Sequence, residues 1–137
     1  MIKSQCLCTR LRRATRGVTR IYDDALRDVG LNVAQFSLLR NLQRLDQPSI
    51  SVLAEAMGLD RSTMGRNLKL LQADGLIALS GGEDQRSRVV QLSALGEARL
   101  AEAIAPWKEA QRQLSLYLGA EKREALLLLL DDLEHID

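Results

Sequence analysis

At 137 residues the chain is long enough for one domain with a substantial core. Lys plus Arg total 19 against 18 for Asp plus Glu, a net charge of +1, so bulk charge by itself names no partner. Apolar residues make up 46% but aromatics only 3%, and with two prolines and nine glycines the composition argues against a many-stranded sandwich and for a mostly α fold. No apolar run approaches the ~18 residues of a membrane span; the longest, Ala125 to Leu130, fits a helix face. The opening Met-Ile-Lys-Ser-Gln-Cys has no apolar region of the secretory kind, and Cys6 and Cys8 make neither a disulfide framework nor a zinc site. These features predict a soluble, cytoplasmic protein with no membrane partner and no cofactor.

The even charge conceals a gradient. Residues 1–30 hold seven basic and three acidic side chains, whereas residues 93–137 hold five basic and nine acidic ones. A basic start and an acidic tail fit an oriented nucleic-acid binder, and fit equally a chain whose ends attract one another.

From Leu7 the apolar residues Leu7, Leu11, Ala14, Val18, Ile21 and Ala25 alternate spacings of four and three, the stripe of a helix of about six turns. Gly30 is its stop, and Asn32 caps a second helix carrying Val33, Phe36, Leu39 and Leu42, which ends near Asp46-Gln47-Pro48. Ser49 caps a short third helix halted at Gly58. Asp60 caps a fourth carrying Met64, Leu68 and Leu71, ended by Gly75. Two helices joined by a tight, glycine-containing turn have helix-turn-helix spacing.

After Gly75 the period changes. Leu76 to Leu79 and Arg88 to Leu92 read as two strands of a hairpin around Gly81-Gly82-Glu83-Asp84-Gln85. Ser93 then caps a long helix, expected to break or kink at Pro106, and a last helix from Glu121 to His135 contains five consecutive leucines. The expected architecture is a winged helix-turn-helix (residues 31–92) flanked by long helices (1–30 and 93–137), all in one domain spanning 1–137. Five leucines in a row cannot share one face of a helix, so a homodimer is the economical way to cover them.

The fourth helix opens Asp60-Arg61-Ser62-Thr63-Met64-Gly65-Arg66-Asn67. The second helix of a helix-turn-helix enters the major groove of double-stranded DNA by its N-terminus, presenting hydroxyl, amide and basic groups to base edges. Arg61, Ser62, Thr63, Arg66 and Asn67 are such groups, and Ser49 stands at a helix tip suited to a phosphate. For any one of them a solvated polar face is the simpler reading; the set beside the turn is harder to dismiss. At the hairpin return, Arg86 can enter the minor groove, with Asp84 holding the guanidinium or the loop.

The stretch Ser49 to Gly96 closely resembles the MarR family of winged-helix transcriptional regulators. The resemblance rests on Leu53-Ala54 with Met57-Gly58, Ser62-Thr63 with Arg66, Leu71 through Asp74-Gly75-Leu76-Ile77, and Asp84-Gln85-Arg86 followed by Val89, Leu92-Ser93 and Gly96. It implies a homodimer joined through its first and last helices. It further implies binding to a palindromic operator, usually as a repressor released by a small, often aromatic ligand or by thiol oxidation. Ser62, Thr63, Arg66 and Arg86 are the DNA-contacting positions it carries over. The chain departs from the family where basic residues often follow the Gly-Leu-Ile, reading Ala78-Leu79-Ser80 instead.

Cys6 and Cys8 lie near a helix N-terminus with Arg10 one turn beyond, which favours a reactive thiolate and makes them candidate redox sensors. Tyr22, Phe36 and Trp107 are candidates for lining a ligand pocket, although each fits a plain core equally well. An enzyme finds little support: there is no glycine-rich phosphate loop, no metal-spaced cluster, and His135 is the only histidine. A helical protein-interaction module that keeps the fold without binding DNA is the other alternative, and the uncharged Ala78-Leu79-Ser80 is its main support.

Overall fold

The computed structural model describes residues 5–81 and 87–136. Its elements are α1 (Leu7–Leu26), a 3-10 turn (Arg27–Val29), α2 (Val33–Leu45), α3 (Ile50–Met57), α4 (Arg61–Ala73), β1 (Ile77–Ser80), β2 (Val89–Leu92), α5 (Ala94–Leu118) and α6 (Ala120–Glu134). The expected mostly helical fold with a small two-stranded wing is what the chain adopts. The loop residues expected to form the wing tip, Asp84, Gln85 and Arg86 among them, lie outside the described residues.

The polar residues expected to start helices do so by satisfying first-turn amides. Asn32 Oδ1 accepts from Gln35 N at 2.8 Å while Gln35 Oε1 accepts from Asn32 N at 3.0 Å, a reciprocal capping box. Ser49 Oγ accepts from Val52 N at 3.1 Å, Asp60 Oδ1 from Thr63 N at 2.7 Å, and Ser93 Oγ from Gly96 N at 3.0 Å. Gly58 ends α3 in the left-handed region at φ +66°, which lets Leu59 and Asp60 turn the chain directly into α4.

The core is aliphatic. Leu26, Leu38, Leu39, Leu53, Met64, Leu68, Leu71, Leu76, Val90 and Leu100 are fully buried and draw together the end of α1, α2, α3, α4, the hairpin and the start of α5. The strands pair antiparallel with Ile77 opposite Leu92 and Ser80 opposite Val89. Residues 48–50 add a short third edge: Val90 N donates to Pro48 O at 2.9 Å and Ile50 N to Arg88 O at 3.0 Å. That edge ties the start of α3 to the wing.

Pro106 does not break its helix. A single helix runs from Ala94 to Leu118 with Pro106 inside it. Proline removes one amide, and the carbonyl it orphans belongs to the exposed Glu102, where water can serve it. Packing carries the helix through, since Leu100, Ala103 and Ala110 are buried and Trp107 stacks on Phe36 with ring centroids 5.4 Å apart.

Candidate nucleic-acid interface

Core packing orients α4. Met64, Leu68 and Leu71 point inward, so at about 100° per residue Ser62, Arg66 and Lys69 fall within about 60° of one another on the outer face. All three are exposed, and Thr63 flanks them, half-buried. Lys69 escaped the sequence reading, which looked only at the first two turns; its spacing of four and seven from Arg66's neighbours Gly65 and Ser62 places it on the same stripe. Arg61 is exposed but lies about 100° from Ser62, on the opposite flank from Asn67. Asn67 is half-buried and lines a small cavity of about 60 Å³ with Asn32, Gln35 and Leu38 of α2, so its side chain sits at the junction of the two helices.

Within the first turn the polar groups are bound to one another. Asp60 Oδ1 accepts from Thr63 N and also from Ser62 Oγ at 2.8 Å, while Arg66 Nη2 donates to Thr63 Oγ1 at 3.4 Å. The Thr63 amide, then the Ser62 and Thr63 hydroxyls, hold the Asp60 carboxyl below its ordinary value, with Arg66 adding a smaller electrostatic share. Asp60 therefore does more than the simple capping its sequence position promised.

Ser49 is half-buried, its hydroxyl engaged in capping and its backbone bridged to Val89. This places it beside the wing strands rather than on α4. Arg86 lies outside the described residues.

A second feature lies at the far end of the molecule, where α1, α5 and α6 enclose a largely apolar groove of about 360 Å³. Tyr22 lines it together with Leu11, Val18, Leu114, Leu127 and Leu130, and its polar members include Gln111, Ser115 and Arg123. The Tyr22 hydroxyl hydrogen-bonds Gln111 Oε1, and Arg123 Nε donates to Ser115 Oγ at 3.1 Å. Burial raises the Tyr22 phenol above its ordinary value, the nearby Arg123 opposing it. The structure thus separates the three aromatics singled out in the sequence: Tyr22 faces the groove, while Phe36 and Trp107 stack together in and against the core.

Asp23 connects the two ends. Its carboxylate accepts from Val33 N at 2.8 Å, pinning the C-terminal part of α1 to the first turn of α2. Cys6 occupies the N-cap of α1 and Cys8 its first turn; both thiols are exposed and neither is in a disulfide. The Cys6 thiol is held below its ordinary value chiefly by the Thr9 hydroxyl, then by the Thr9 and Cys8 amides, so the helix N-terminus contributes as expected and the Thr9 hydroxyl adds the largest share.

Among the described residues no helix is long and apolar enough to cross a membrane, and no group of His, Cys, Asp and Glu could hold a metal ion.

Comparison with known proteins agrees with this geometry. A sequence model of the MarR family matches residues 29–87, which span α2, α3, α4 and β1. The Mycobacterium tuberculosis transcriptional regulator MosR, solved in complex with DNA, is 33% identical, with 95% of this chain and 97% of that one covered and a TM-score of 0.82. The transcriptional repressor CouR, solved with p-coumaroyl-CoA, is 25% identical over 98% of this chain and 99% of its own, with a TM-score of 0.87. BpsR of Bordetella bronchiseptica, whose DNA binding is regulated by 6-hydroxynicotinic acid, is 25% identical over 100% of this chain and 99% of its own, with a TM-score of 0.86. With a relative above 30% identity matched along almost its whole length, and with the helix-turn-helix and wing strands in place, the chain belongs to the MarR family of DNA-binding transcriptional regulators.

Proposed function

We propose that the protein works as a homodimer forming one domain per chain, residues 1–137, and that it represses from a palindromic operator in double-stranded DNA. In this reading α4 enters the major groove, with Ser62, Thr63 and Arg66 toward base edges. Arg61 and Lys69 serve the groove walls, Ser49 a phosphate, and Arg86 the minor groove, while Asn67, expected at a base edge, faces α2 instead. The observation that carries it is the outer face of α4, where Ser62 and Arg66 in the first two turns and Lys69 beyond them stand exposed on a helix whose other face is locked into the core. The uncharged Ala78-Leu79-Ser80 of β1 favours the alternative of an interaction module that binds no DNA. A gel-shift titration against the DNA upstream of its own coding sequence separates the two. Arg66→Ala is expected to weaken binding at least tenfold and relax sequence preference, and Arg86→Ala to weaken it uniformly. Unchanged affinity in both variants removes the assignment.

Release is proposed to follow either a small aromatic ligand or thiol oxidation at Cys6 and Cys8. The apolar groove beside Tyr22 supports the first route, as do CouR with p-coumaroyl-CoA and BpsR with 6-hydroxynicotinic acid. The exposure of both thiols and the acidity of Cys6 support the second. Peroxide treatment followed by mass spectrometry and operator titration tests it: thiols that stay reduced, with binding intact, exclude oxidation.

A further inference from the structure

Four helices are capped by side chains whose bonds are described, and three of the caps are neutral: Asn32 on α2, Ser49 on α3 and Ser93 on α5. The fourth, Asp60 on α4, is a carboxylate. On the DNA reading above, on which this inference rests, α4 is the helix whose tip approaches a polyanion, the place where a negative cap is least favourable. Capping alone does not require the charge, since Ser or Asn caps as well as Asp does.

The side chain has a second effect, through its acceptor oxygen. An ionised carboxylate only accepts hydrogen bonds, so the 2.8 Å contact between Ser62 Oγ and Asp60 Oδ1 consumes the single hydroxyl hydrogen of Ser62. A free serine hydroxyl rotates to donate or accept and tolerates either kind of base edge. With its hydrogen committed, Ser62 offers lone pairs alone. Beside it, Thr63 Oγ1 accepts from Arg66 Nη2, and the same Asp60 oxygen accepts the Thr63 amide, so the first turn is fixed on both sides of Ser62. In the major groove the donors are adenine N6 and cytosine N4, whereas guanine O6 and N7 and thymine O4 are acceptors.

We propose that Asp60 is a positioning residue that fixes Ser62 as a hydrogen-bond acceptor, so that the pair selects an exocyclic amino group, adenine N6 or cytosine N4, at one base of each half-site. The negative charge of Asp60 reinforces this choice, because a carboxylate beside the base attracts a donor edge and repels an acceptor edge.

The test is selection from a library of random-sequence DNA duplexes with the full-length wild type and the variants Ser62→Ala, Asp60→Asn and Asp60→Ser, with thermal midpoints measured in parallel. The wild type should enrich A or C at one position per half-site by about fivefold, the worth of one net hydrogen bond. S62A should lose enrichment at that position alone. D60N keeps an acceptor oxygen and should retain the preference. D60S keeps the cap, and therefore the thermal midpoint, but its shorter side chain releases the Ser62 hydroxyl, so G and T should now be admitted there. Wild-type preference persisting in D60S, or unchanged selection by S62A, overturns the proposal while leaving the rest of the selected motif, and hence the DNA reading, intact. Failure of the wild type to enrich any sequence overturns the DNA reading and this proposal with it.

Discussion

Gly96 lies where the first turn of α5 presses on the chain entering β1. A methyl group placed on it would sit 2.0 Å from the Leu76 carbonyl oxygen, a backbone atom that cannot swing aside. The same carbonyl accepts from Ser93 N at 3.0 Å, and Ser93 Oγ donates to Gly75 O at 2.6 Å, so the junction of α4, β1 and α5 is locked around this glycine. Gly96→Ala should cost about 3 kcal/mol through overpacking and lower the thermal midpoint by about 10 °C. A melting curve within 2 or 3 °C of the wild type would show that the junction yields more easily than its bonding implies. At the other end of the chain, Cys6 provides a pH-dependent signature. A thiol lowered in the folded state is deprotonated at pH values where the same thiol in the unfolded chain is still protonated. In a Cys8→Ser background, the iodoacetamide reaction of Cys6 should therefore rise at lower pH in native buffer than in concentrated urea. Coincident profiles would mean that Thr9 does not stabilise the thiolate.

At the scale of elements, Pro106 is an internal cost that packing overrides. Alanine there restores the amide to Glu102 O and improves helix propensity, while giving back some unfolded-chain entropy that proline removes. Pro106→Ala is expected to stabilise by about 1–2 kcal/mol, read as a higher thermal midpoint. A lower midpoint would mean that the path proline sets is what brings Trp107 onto Phe36. The expected break is absent here for an instructive reason: a proline is a local rule, and the burial of Leu100, Ala103 and Ala110 on either side of it is a tertiary fact. Local rules served well elsewhere. Asn32, Ser49, Asp60 and Ser93 act within three residues of themselves, and the helix starts they mark were legible from residue type and spacing. The candidate site was legible in the same measure. Periodicity separated the inward Met64, Leu68 and Leu71 from the outward Ser62 and Arg66. What it could not show were contacts between distant residues: Asp23 on the first amide of α2, Arg123 in the groove beside Tyr22, or Asn67 turned toward α2.

For the molecule as a whole, the largest unsatisfied feature is the apolar surface of the flanking helices. Leu127, Leu128 and Leu129 of α6 are 47%, 60% and 59% exposed, Leu133 is 44%, and Leu7 at the start of α1 is 78%. Leu126, Leu127 and Leu130 border the groove, whereas Leu129 points about 100° from their mean direction and Leu133 lies a turn beyond the last of them, so folding α6 back onto its own chain leaves both bare. Covering half of each such leucine is worth about 1 kcal/mol apiece, enough in aggregate to hold two copies together at modest concentration. The arginines of α1 and the acidic residues at the end of α6, Asp131, Asp132 and Glu134, add charge complementarity between two such copies. Sedimentation of the wild type is therefore expected to report twice the 15.2 kDa chain mass, and a Leu129→Glu/Leu133→Glu variant should shift toward the single-chain mass with its helical circular dichroism largely kept. Because a dimer presents two α4 helices about 34 Å apart on one face of the duplex, the same variant should lose affinity for a two-half-site operator far more than for an isolated half-site. A variant that becomes monomeric yet binds the full operator undiminished would show that each chain reads DNA alone, and that the bare leucines serve something other than spacing two reading heads.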